Sequence, residues 1–253
     1  MLIDPQNLLA ARRVTENLGR VRARIRAAAV ESGRSVDQIT LIGASKGQPA
    51  AILAAAQEAG LRDFGESYVQ DALPKMATLS AALPASAITW HFIGALQANK
   101  TRAVAENFAW VHTLDRLRIA ERLSEQRPYH APALNICVQV HIGAEASKGG
   151  ADPASIPQLL RDIARLPRLK LRGLMCLPPP EHDPVRQRYW LHQLRQLFES
   201  VNANGAGLDT LSMGMSDDLD AAIHEGATLV RIGTDLFGPR VARPSPSHIQ
   251  SPR

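Results

Sequence analysis

The sequence predicts a single (β/α)8 TIM barrel, an α/β fold, with an extra helix at its N-terminus. Short apolar runs typical of strands alternate with stretches of helical periodicity, and eight such runs occur in 253 residues. Strands that alternate with helices pair in parallel, and eight β/α units in about 250 residues match the size of a barrel. A doubly wound open sheet would usually have fewer strands and a G-x-G-x-x-G fingerprint after a strand, which this sequence lacks.

The extra helix is expected over Asp4–Ser32, and the barrel elements follow it. The predicted strands are Thr40–Ser45, Asp63–Glu66, Thr89–Gly94, Trp110–Thr113, Leu134–Ile142, Leu169–Cys176, Thr210–Met213 and Leu229–Ile232. The predicted helices between them include Pro49–Ala59, Asp115–Gln126, Asp152–Leu166, Pro184–Asn202 and Asp217–Glu225. The first of these helices begins with a proline and others have an acidic residue in the first turn, both common N-terminal signals.

The composition describes a chain with a sizeable core and excludes several classes of protein. Apolar residues make up 45%, and a chain of this length buries roughly 70% of its unfolded surface. No apolar run reaches the roughly 18 residues of a membrane span, and residues 1–13 carry no export signal. Cys137 and Cys176 lie in apolar runs without a C-x-x-C pair, so neither disulfides nor a zinc site are expected. We expect a cytoplasmic protein that binds no metal and no membrane.

The charge balance could indicate a nucleic-acid partner, but its distribution argues against one. The chain has 29 basic and 24 acidic residues, a net charge of +5. Arginines concentrate on the expected N-terminal helix and in the tail, and aromatic residues, which stack on bases, are only 4%. We therefore expect solvated arginine faces. Residues 241–253, rich in Pro, Ser and Arg, are expected to be a disordered tail, which leaves residues 1–240 as the barrel domain.

Lys46, at the end of the first predicted strand, stands out among only five lysines. Active sites of such barrels lie at the carboxyl-terminal ends of the strands, where Glu66, Ser67 and Ser216 also fall. An amine can form a Schiff base with a carbonyl ligand, whereas a guanidinium cannot. A lysine that simply extends into solvent is the alternative interpretation.

The loops after the last two strands favour a phosphate. Gly233 and Thr234 follow the eighth strand and Ser216 follows the seventh, which is the usual phosphate site of these barrels. The alternative is that the glycines are ordinary turn formers and Ser216 an N-cap. Residues 143–148 lack the second glycine of a P-loop. A ligand with both an aldehyde and a phosphate is pyridoxal 5′-phosphate.

Seven motifs resemble a known family in their content and order. They are Ala44-Ser-Lys46, Phe64-Gly-Glu66 with Tyr68-Val-Gln70, His91-Phe-Ile-Gly94 with Leu96-Gln97 and Asn99-Lys100, Ser147-Lys148-Gly149, Arg172-Gly-Leu-Met175, Ser212-Met-Gly-Met-Ser-Asp-Asp218 and Val230-Arg-Ile-Gly-Thr234. The chain thereby resembles, over roughly residues 5 to 240, the YggS/PROSC family of pyridoxal phosphate homeostasis proteins. This resemblance implies a barrel of the alanine racemase N-terminal domain type.

The resemblance also implies roles for individual residues. Lys46 would form the internal aldimine, Ser216 with the backbone of Gly233 and Thr234 would hold the phosphate, and Arg231 would face the pyridine nitrogen. The other predicted cofactor contacts are Ser67, His91, Ser212 and Met213. No residue is given a catalytic role.

Some of these positions carry an alternative or a departure from the family pattern. A neutral histidine within a strand, such as His91, is more often a bonded core residue. Ser67 stands where the family usually has asparagine, Ala95 replaces the usual proline, and Ala98 replaces the usual serine. A water could take the place of the missing amide at Ser67.

The predicted function is that of a pyridoxal phosphate carrier without turnover. Arg231 cannot take the pyridine proton and would donate to an unprotonated nitrogen, which weakens the electron sink that carbanion chemistry needs. The resemblance implies a role in cofactor homeostasis, with apo-enzymes that use pyridoxal phosphate as partners, and we expect a monomer. The alternatives are a racemase-like enzyme, which would need a second base from a further domain, and a Schiff-base aldolase. Lys100 and Lys148 are secondary anion contacts or solvated surface.

Overall fold

The computed structural model of this protein describes residues 5–82, 88–143 and 149–238. The eight predicted strands are present and form a closed barrel in the order β1 to β8, each strand parallel to both neighbours. They are β1 (Thr40–Ala44), β2 (Asp63–Glu66), β3 (Thr89–Phe92), β4 (Trp110–Leu114), β5 (Leu134–Gln139), β6 (Leu169–Met175), β7 (Thr210–Ser212) and β8 (Leu229–Ile232). The (β/α)8 prediction is confirmed.

Helices surround the barrel, and the extra N-terminal helix is confirmed as well. They are α1 (Pro5–Glu31), α2 (Ala50–Glu58), α3 (Val69–Ser80), α4 (Thr101–Asn107), α5 (Leu117–Gln126), α6 (Ile156–Ala164), α7 (Pro184–Ala203), α8 (Leu219–His224) and α9 (Thr234–Phe237). Short 3-10 turns occur at Val36–Gln38, Ala98–Lys100 and Pro153–Ser155, the last of which takes the start of the helix predicted over Asp152–Leu166. Helices α3, α4 and α9 were not among the helices named from the sequence.

The core lies between the strands and the surrounding helices. Phe64 of β2 packs on Trp90 of β3 with ring centroids 5.8 Å apart, and Phe92 meets Phe108 edge to face at 5.4 Å. Phe64 and Leu53 of α2 are completely buried. Each fully buried side chain of this size contributes roughly 1.5–3 kcal/mol through apolar transfer. The barrel is therefore a rigid frame on which the loops at its two ends are carried.

Helix α1 covers the outside of the barrel next to the last two β/α units. The apolar positions of one face, which include Leu18 and Ile25, recur every three or four residues and are almost fully buried. Asn17 donates from Nδ2 to the carbonyl oxygen of Leu236 in α9 over 3.0 Å. Arg24 donates from Nη1 to the carbonyl oxygen of Ser216 over 2.7 Å and pairs with Asp220 of α8. Helix α1 thereby fixes the loops that follow β7 and β8.

Three further predictions concern the C-terminal tail, membrane-spanning helices and the two cysteines. Lys148 and the predicted disordered tail at 241–253 lie outside the described residues, so the boundary at residue 240 stays a prediction. Within the described ranges, no helix is both long and apolar enough to cross a membrane. Cys137 and Cys176 are both buried, and burial raises the pKa of the Cys137 thiol to about 12. Such a thiol packs as a small apolar side chain.

Candidate cofactor site at the mouth of the barrel

The ends of β1 and β2 bring Lys46 to the mouth of the barrel. Ser45, directly after β1, is fully buried, and its N–H donates to the carbonyl oxygen of Gly65 over 2.9 Å. Gly47 then turns the chain with φ of 74°, a left-handed conformation that glycine adopts without steric cost. Lys46 lies between these two fixed positions and is itself partly buried. Its backbone is therefore held at the rim of the barrel.

A buried ion pair fixes the residue that precedes Lys46. The Glu66 carboxylate oxygen Oε1 accepts hydrogen bonds from Lys75 Nζ over 2.6 Å and from the Ser45 hydroxyl over 2.7 Å. Lys75, from α3, also donates to the carbonyl oxygen of Ser45 over 2.9 Å. The other carboxylate oxygen, Oε2, is buried and has no hydrogen-bond partner among the described residues. This cluster joins β1, β2 and α3 at the base of the Lys46 side chain.

Tyr68 holds the amine of Lys46. The Nζ atom of Lys46 donates to Oη of Tyr68 over 3.3 Å and lies 4.6 Å from the centroid of the tyrosine ring. Tyr68 is the N-cap residue of α3 and is 47% exposed. A cation above a tyrosine face is attracted by the ring quadrupole. The phenol therefore orients the lysine at the open side of the mouth.

A pocket of about 540 Å³ opens beside Lys46. Lys46, Tyr68, Lys100 and two glutamines give it polar walls, while Phe92 lies at its apolar side. The lining residues are Lys46, Ser67, Tyr68, Val69, Gln70, Phe92, Gly94, Ala95, Gln97 and Lys100. Lys46 and Ser67 are thus the predicted cofactor contacts that meet in this pocket. Its lysine side chains, with no acidic residue among the described residues of its lining, favour an anionic ligand.

The loops after β7 and β8 lie at the same end of the barrel as Lys46, because β7, β8 and β1 are neighbouring parallel strands. Gly214 has φ of 98°, and Asp218 accepts a 2.6 Å hydrogen bond from the N–H of Met215, which shapes the turn that carries Ser216. Burial raises the pKa of Asp218 above its ordinary value. Ser216 is partly buried and Thr234 is exposed, and Gly233 is the N-cap of α9. The first N–H groups of a helix have no intrahelical partner, so they are available to an anion.

Arg231 occupies the interior of the barrel below these loops. It is 4% exposed, and its guanidinium donates from Nη1 to Oγ of Ser212 over 2.7 Å and from Nη2 to the carbonyl oxygen of Cys176 over 2.9 Å. These bonds use two of the five N–H donors of a guanidinium. Ser212, the last residue of β7, is fully buried, and so is Met213, whose side chain belongs to the hydrophobic core. The roles of Ser212 and Met213 as cofactor contacts stay predictions.

The structure places His91 in the barrel interior, with both ring nitrogens bonded to protein. Its Nδ1 lies 2.9 Å from Nε2 of His112, and its Nε2 lies 3.0 Å from Oδ1 of Asp63. Nδ1 of His112 lies 2.7 Å from Oγ of Ser212. Among the described residues, His91 is therefore linked to Arg231 through His112 and Ser212. Its direct contact with a cofactor stays a prediction.

Sequence reasoning placed Glu66 among the polar residues at the barrel mouth, but it gave no individual role to Tyr68, His112, Asp63 or Lys75. Tyr68 follows β2 by two residues, and Glu66 ends that strand, so both positions carry the signal of a polar side chain at a strand end. His112 lies within β4. Asp63 is the first residue of β2 and lies at the end of the barrel opposite the mouth. Their meeting with His91 depends on how neighbouring strands are staggered, which the spacing of residues does not reveal.

Comparisons with known proteins define the class first. The family model of the alanine racemase N-terminal domain matches residues 17–241. The alanine racemase of Corynebacterium glutamicum has the same fold, with a TM-score of 0.65 and 13% identity over 90% of this chain and 62% of the racemase. The described barrel is therefore of the alanine racemase N-terminal type.

Curated relatives and solved structures then specify the family. The chain is 54% identical to a pyridoxal phosphate homeostasis protein of Pseudomonas aeruginosa over 227 residues, which cover 90% of this chain and 96% of the relative. Its identity to the protein of the same name in Escherichia coli K12 is 48%, with 90% and 97% covered. PipY of Synechococcus elongatus PCC7942, solved with PLP bound, is 33% identical with a TM-score of 0.78, covering 89% of this chain and all of PipY. This chain belongs to the family of pyridoxal phosphate homeostasis proteins.

Proposed function

We propose that this protein binds pyridoxal 5′-phosphate at the mouth of its barrel and acts in the homeostasis of that cofactor. The observation that carries the proposal is the placement of one positioned amine, Lys46, at the same end of the barrel as the loops after β7 and β8. The names of the curated relatives and the cofactor bound to PipY support the same conclusion.

The side chains at the mouth fit the chemical groups of this cofactor. Lys46 supplies an amine, and the Ser216 hydroxyl and the N–H groups at the start of α9 supply donors for a phosphate. Arg231 keeps N–H donors that its bonds to the described residues do not use. A Cβ added at Gly233 would make only ordinary contacts with Ala44, at 3.5 Å and beyond, and the φ of −109° suits any residue. Protein packing thus does not demand glycine at position 233, whereas the close approach of a phosphate would.

The chain contributes binding and orientation rather than turnover. When bound, pyridoxal phosphate supplies an aldehyde that condenses with a primary amine as one water leaves, and a ring that withdraws electrons when its nitrogen is protonated. Lys46 is the amine, and Tyr68 keeps it at the open side of the mouth. A guanidinium can only donate, so Arg231 placed at the ring nitrogen would leave that nitrogen unprotonated and the ring a weak electron sink. We therefore propose a carrier without catalytic turnover.

Further parts of the proposal concern the setting of the protein. We propose that it works in the cytoplasm as a monomer and delivers the cofactor to apo-enzymes that use pyridoxal phosphate. Sedimentation of the purified chain with and without pyridoxal phosphate measures its molecular mass in solution. A dimer under either condition would refute the proposed monomer. Delivery is measured by mixing the loaded protein with an apo-transaminase in the presence of a reagent that removes free pyridoxal phosphate. Recovered transaminase activity then reports direct transfer of the cofactor.

The covalent attachment is tested by absorption, borohydride reduction and peptide mapping. The wild-type chain incubated with pyridoxal phosphate should be yellow, and the reduced adduct should map to Lys46. Lys46→Ala should lose the visible band, and Lys46→Arg should keep the charge but also lose it, because a guanidinium does not condense. Lys170→Ala, at an exposed lysine of β6, is the matched control and should behave like the wild type. An adduct on Lys100 instead of Lys46 would refute the assignment.

Absence of turnover is a separate measurement. Loaded protein should racemise or transaminate amino acids no faster than free pyridoxal phosphate at the same concentration. A rate well above the free cofactor that disappears in Lys46→Ala would establish an enzyme and overturn the carrier, while leaving cofactor binding in place.

A further inference from the structure

A continuous chain of hydrogen bonds crosses the barrel interior behind the mouth. It begins at Arg231 in β8, whose Nη1 lies 2.7 Å from Oγ of Ser212 in β7. The same Oγ lies 2.7 Å from Nδ1 of His112 in β4, whose Nε2 lies 2.9 Å from Nδ1 of His91 in β3. The chain ends where Nε2 of His91 meets Oδ1 of Asp63 in β2 at 3.0 Å. Five strands thus contribute one polar side chain each.

The two ends of this chain fix the direction of every bond within it. A guanidinium has donors only, and an ionised carboxylate has acceptors only. Ser212 accepts from Arg231, so its single hydroxyl hydrogen is free to point at Nδ1 of His112. Each histidine then carries its hydrogen on Nε2 and accepts on Nδ1. In each of the four hydrogen bonds, the donor is therefore the group nearer Arg231 and the acceptor is the group nearer Asp63.

Burial keeps both imidazoles neutral, which this arrangement requires. His91 is 1% exposed and His112 is fully buried. Nδ1 of His91 and Nε2 of His112 face each other, so only one hydrogen can lie between them. Burial lowers the pKa of His91 although Asp63 acts in the opposite direction. Burial, followed by the proximity of the second imidazole, that of His91, and by the charge of Arg231, holds the pKa of His112 well below its ordinary value.

We propose that Asp63, His91 and His112 are positioning residues that act on the cofactor through Ser212 and Arg231. Asp63 sets the tautomer of His91, His91 sets that of His112, and His112 leaves Ser212 as a fixed acceptor for the guanidinium. Together with the carbonyl oxygen of Cys176, this acceptor fixes the plane of Arg231 and the direction of its three remaining N–H donors. The inference rests on the proposed function for its ligand but not for its geometry.

The tautomers are measured in the ligand-free protein by long-range ¹H–¹⁵N correlation spectra of the histidine rings. His91 and His112 should both carry hydrogen on Nε2 and be neutral at about pH 7. Asp63→Ala should disturb the resonances of the Arg231 guanidinium, which Asp63 does not touch. A hydrogen on Nδ1 of either ring, a charged ring at neutral pH, or an unmoved Arg231 would overturn the proposal.

A double-mutant cycle then connects the chain to the cofactor. Asp63→Ala and Ser212→Ala should each weaken the binding of pyridoxal phosphate about tenfold, since each disturbs hydrogen bonds to a charged group. The affinity of the double variant for pyridoxal phosphate should be no lower than that of the single variant with the lower affinity, because either change breaks the same chain of hydrogen bonds. Asp209→Ala, which removes an acid paired with Arg172 outside the chain, is the control and should leave affinity unchanged.

Each result separates the proposal from its alternatives. Additive losses in the double variant, or unchanged affinity in both single variants, would refute positioning by this chain. A wild-type protein that takes up no pyridoxal phosphate would refute the proposed function. The spectra of the ligand-free protein would still show whether the hydrogen bonds are directed from Arg231 to Asp63 and whether Asp63 affects Arg231.

Discussion

The ammonium of Lys75 lies 2.6 Å from the carboxylate of Glu66, and the two side chains are 11% and 0% exposed. Removing one partner of such a pair leaves an uncompensated buried charge, which costs about 3–5 kcal/mol. Lys75→Met should therefore lower the free energy of unfolding by about that amount, measured by urea denaturation.

The exposed pair of Arg12 and Glu16 on α1 provides the comparison for this ion pair. Its side chains are 79% and 55% exposed, so Arg12→Met should change stability by at most about 1 kcal/mol. The double variant Lys75→Met with Glu66→Gln should recover part of the loss, because the buried charge is gone. Equal and small effects of Lys75→Met and Arg12→Met would show that Glu66 does not depend on Lys75.

Gly94 allows the loop after β2 to pack against the end of β3. A Cβ at residue 94 would collide with the backbone of Ser67, whose Cα would lie 2.6 Å away. Backbone cannot move aside as a flexible side chain can, so Gly94→Ala should destabilise the protein by about 1–3 kcal/mol. It should also weaken cofactor uptake, because Ser67 and Tyr68 line the pocket beside Lys46.

Gly19 is the matched control for that substitution. It lies on the exposed face of α1, and a Cβ there would have no atom within 4 Å. Gly19→Ala should stabilise the chain by roughly 0.5–1 kcal/mol through helix propensity. Both effects are measured as shifts of the urea midpoint and as affinity for pyridoxal phosphate. A Gly94→Ala variant as stable as the wild type would mean that the two loops are not in tight contact.

The barrel could be predicted because each strand carries its own local signal. Asp63–Glu66 and Leu229–Ile232 were predicted with the bounds that the structure has. Helix α3 was missed because Pro74 lies in its interior, and proline normally ends a helical pattern. Helices α4 and α9 have seven and four residues, too few for a 3.6-residue period to be recognised.

The positions of candidate site residues could be predicted where these residues follow strand ends, but not where they depend on contacts across the barrel. Lys46 and Ser67 were predicted from position and do line one pocket. The contact of Asp63, the first residue of β2, with His91, the third residue of β3, follows from strand stagger and side-chain rotamers. These are properties of the closed barrel rather than of any segment.

The ionisation of Glu225 makes the free energy of unfolding depend on pH. It is 4% exposed and accepts hydrogen bonds from Arg188 and His192, each over 2.9 Å. Burial alone would raise its pKa, but the bonds from His192 and Arg188 outweigh burial and lower it below the ordinary value of 4.5. A lowered pKa in the folded state means that Glu225 stabilises the protein above about pH 4.5 and that this contribution is lost as pH falls through the folded pKa.

Glu225→Gln should therefore cost about 1–3 kcal/mol near neutral pH, and the difference from the wild type should shrink towards about pH 3. Glu199, which is exposed and paired with Arg195, is the control, and Glu199→Gln should cost less than about 1 kcal/mol. Urea denaturation at both pH values measures the effect. A loss for Glu225→Gln that is the same at acid and neutral pH would show that its ionisation is not coupled to folding.

The buried imidazole of His112 predicts a second acid sensitivity, at higher pH. Burial, then the nearby His91 and Arg231, hold its pKa well below 6.5 in the folded state, while in the unfolded chain it returns towards that value. The unfolded state therefore binds more protons below about pH 6.5, so stability is complete above that pH and falls as the solution is acidified, by up to about 1.4 kcal/mol per pH unit and histidine.

His112→Gln removes one of these groups and should flatten the dependence of the unfolding free energy on pH between about 6.5 and 5, even though the variant is less stable at neutral pH. Leu123→Ala separates this effect from simple destabilisation, because Leu123 is fully buried and its truncation should cost about 2–5 kcal/mol at every pH without changing the slope. Urea titrations at several pH values measure both. Parallel slopes for the wild type and His112→Gln would mean that His112 takes up its proton in the folded protein as readily as in the unfolded chain, and the directed hydrogen-bond chain from Arg231 to Asp63 would then not hold.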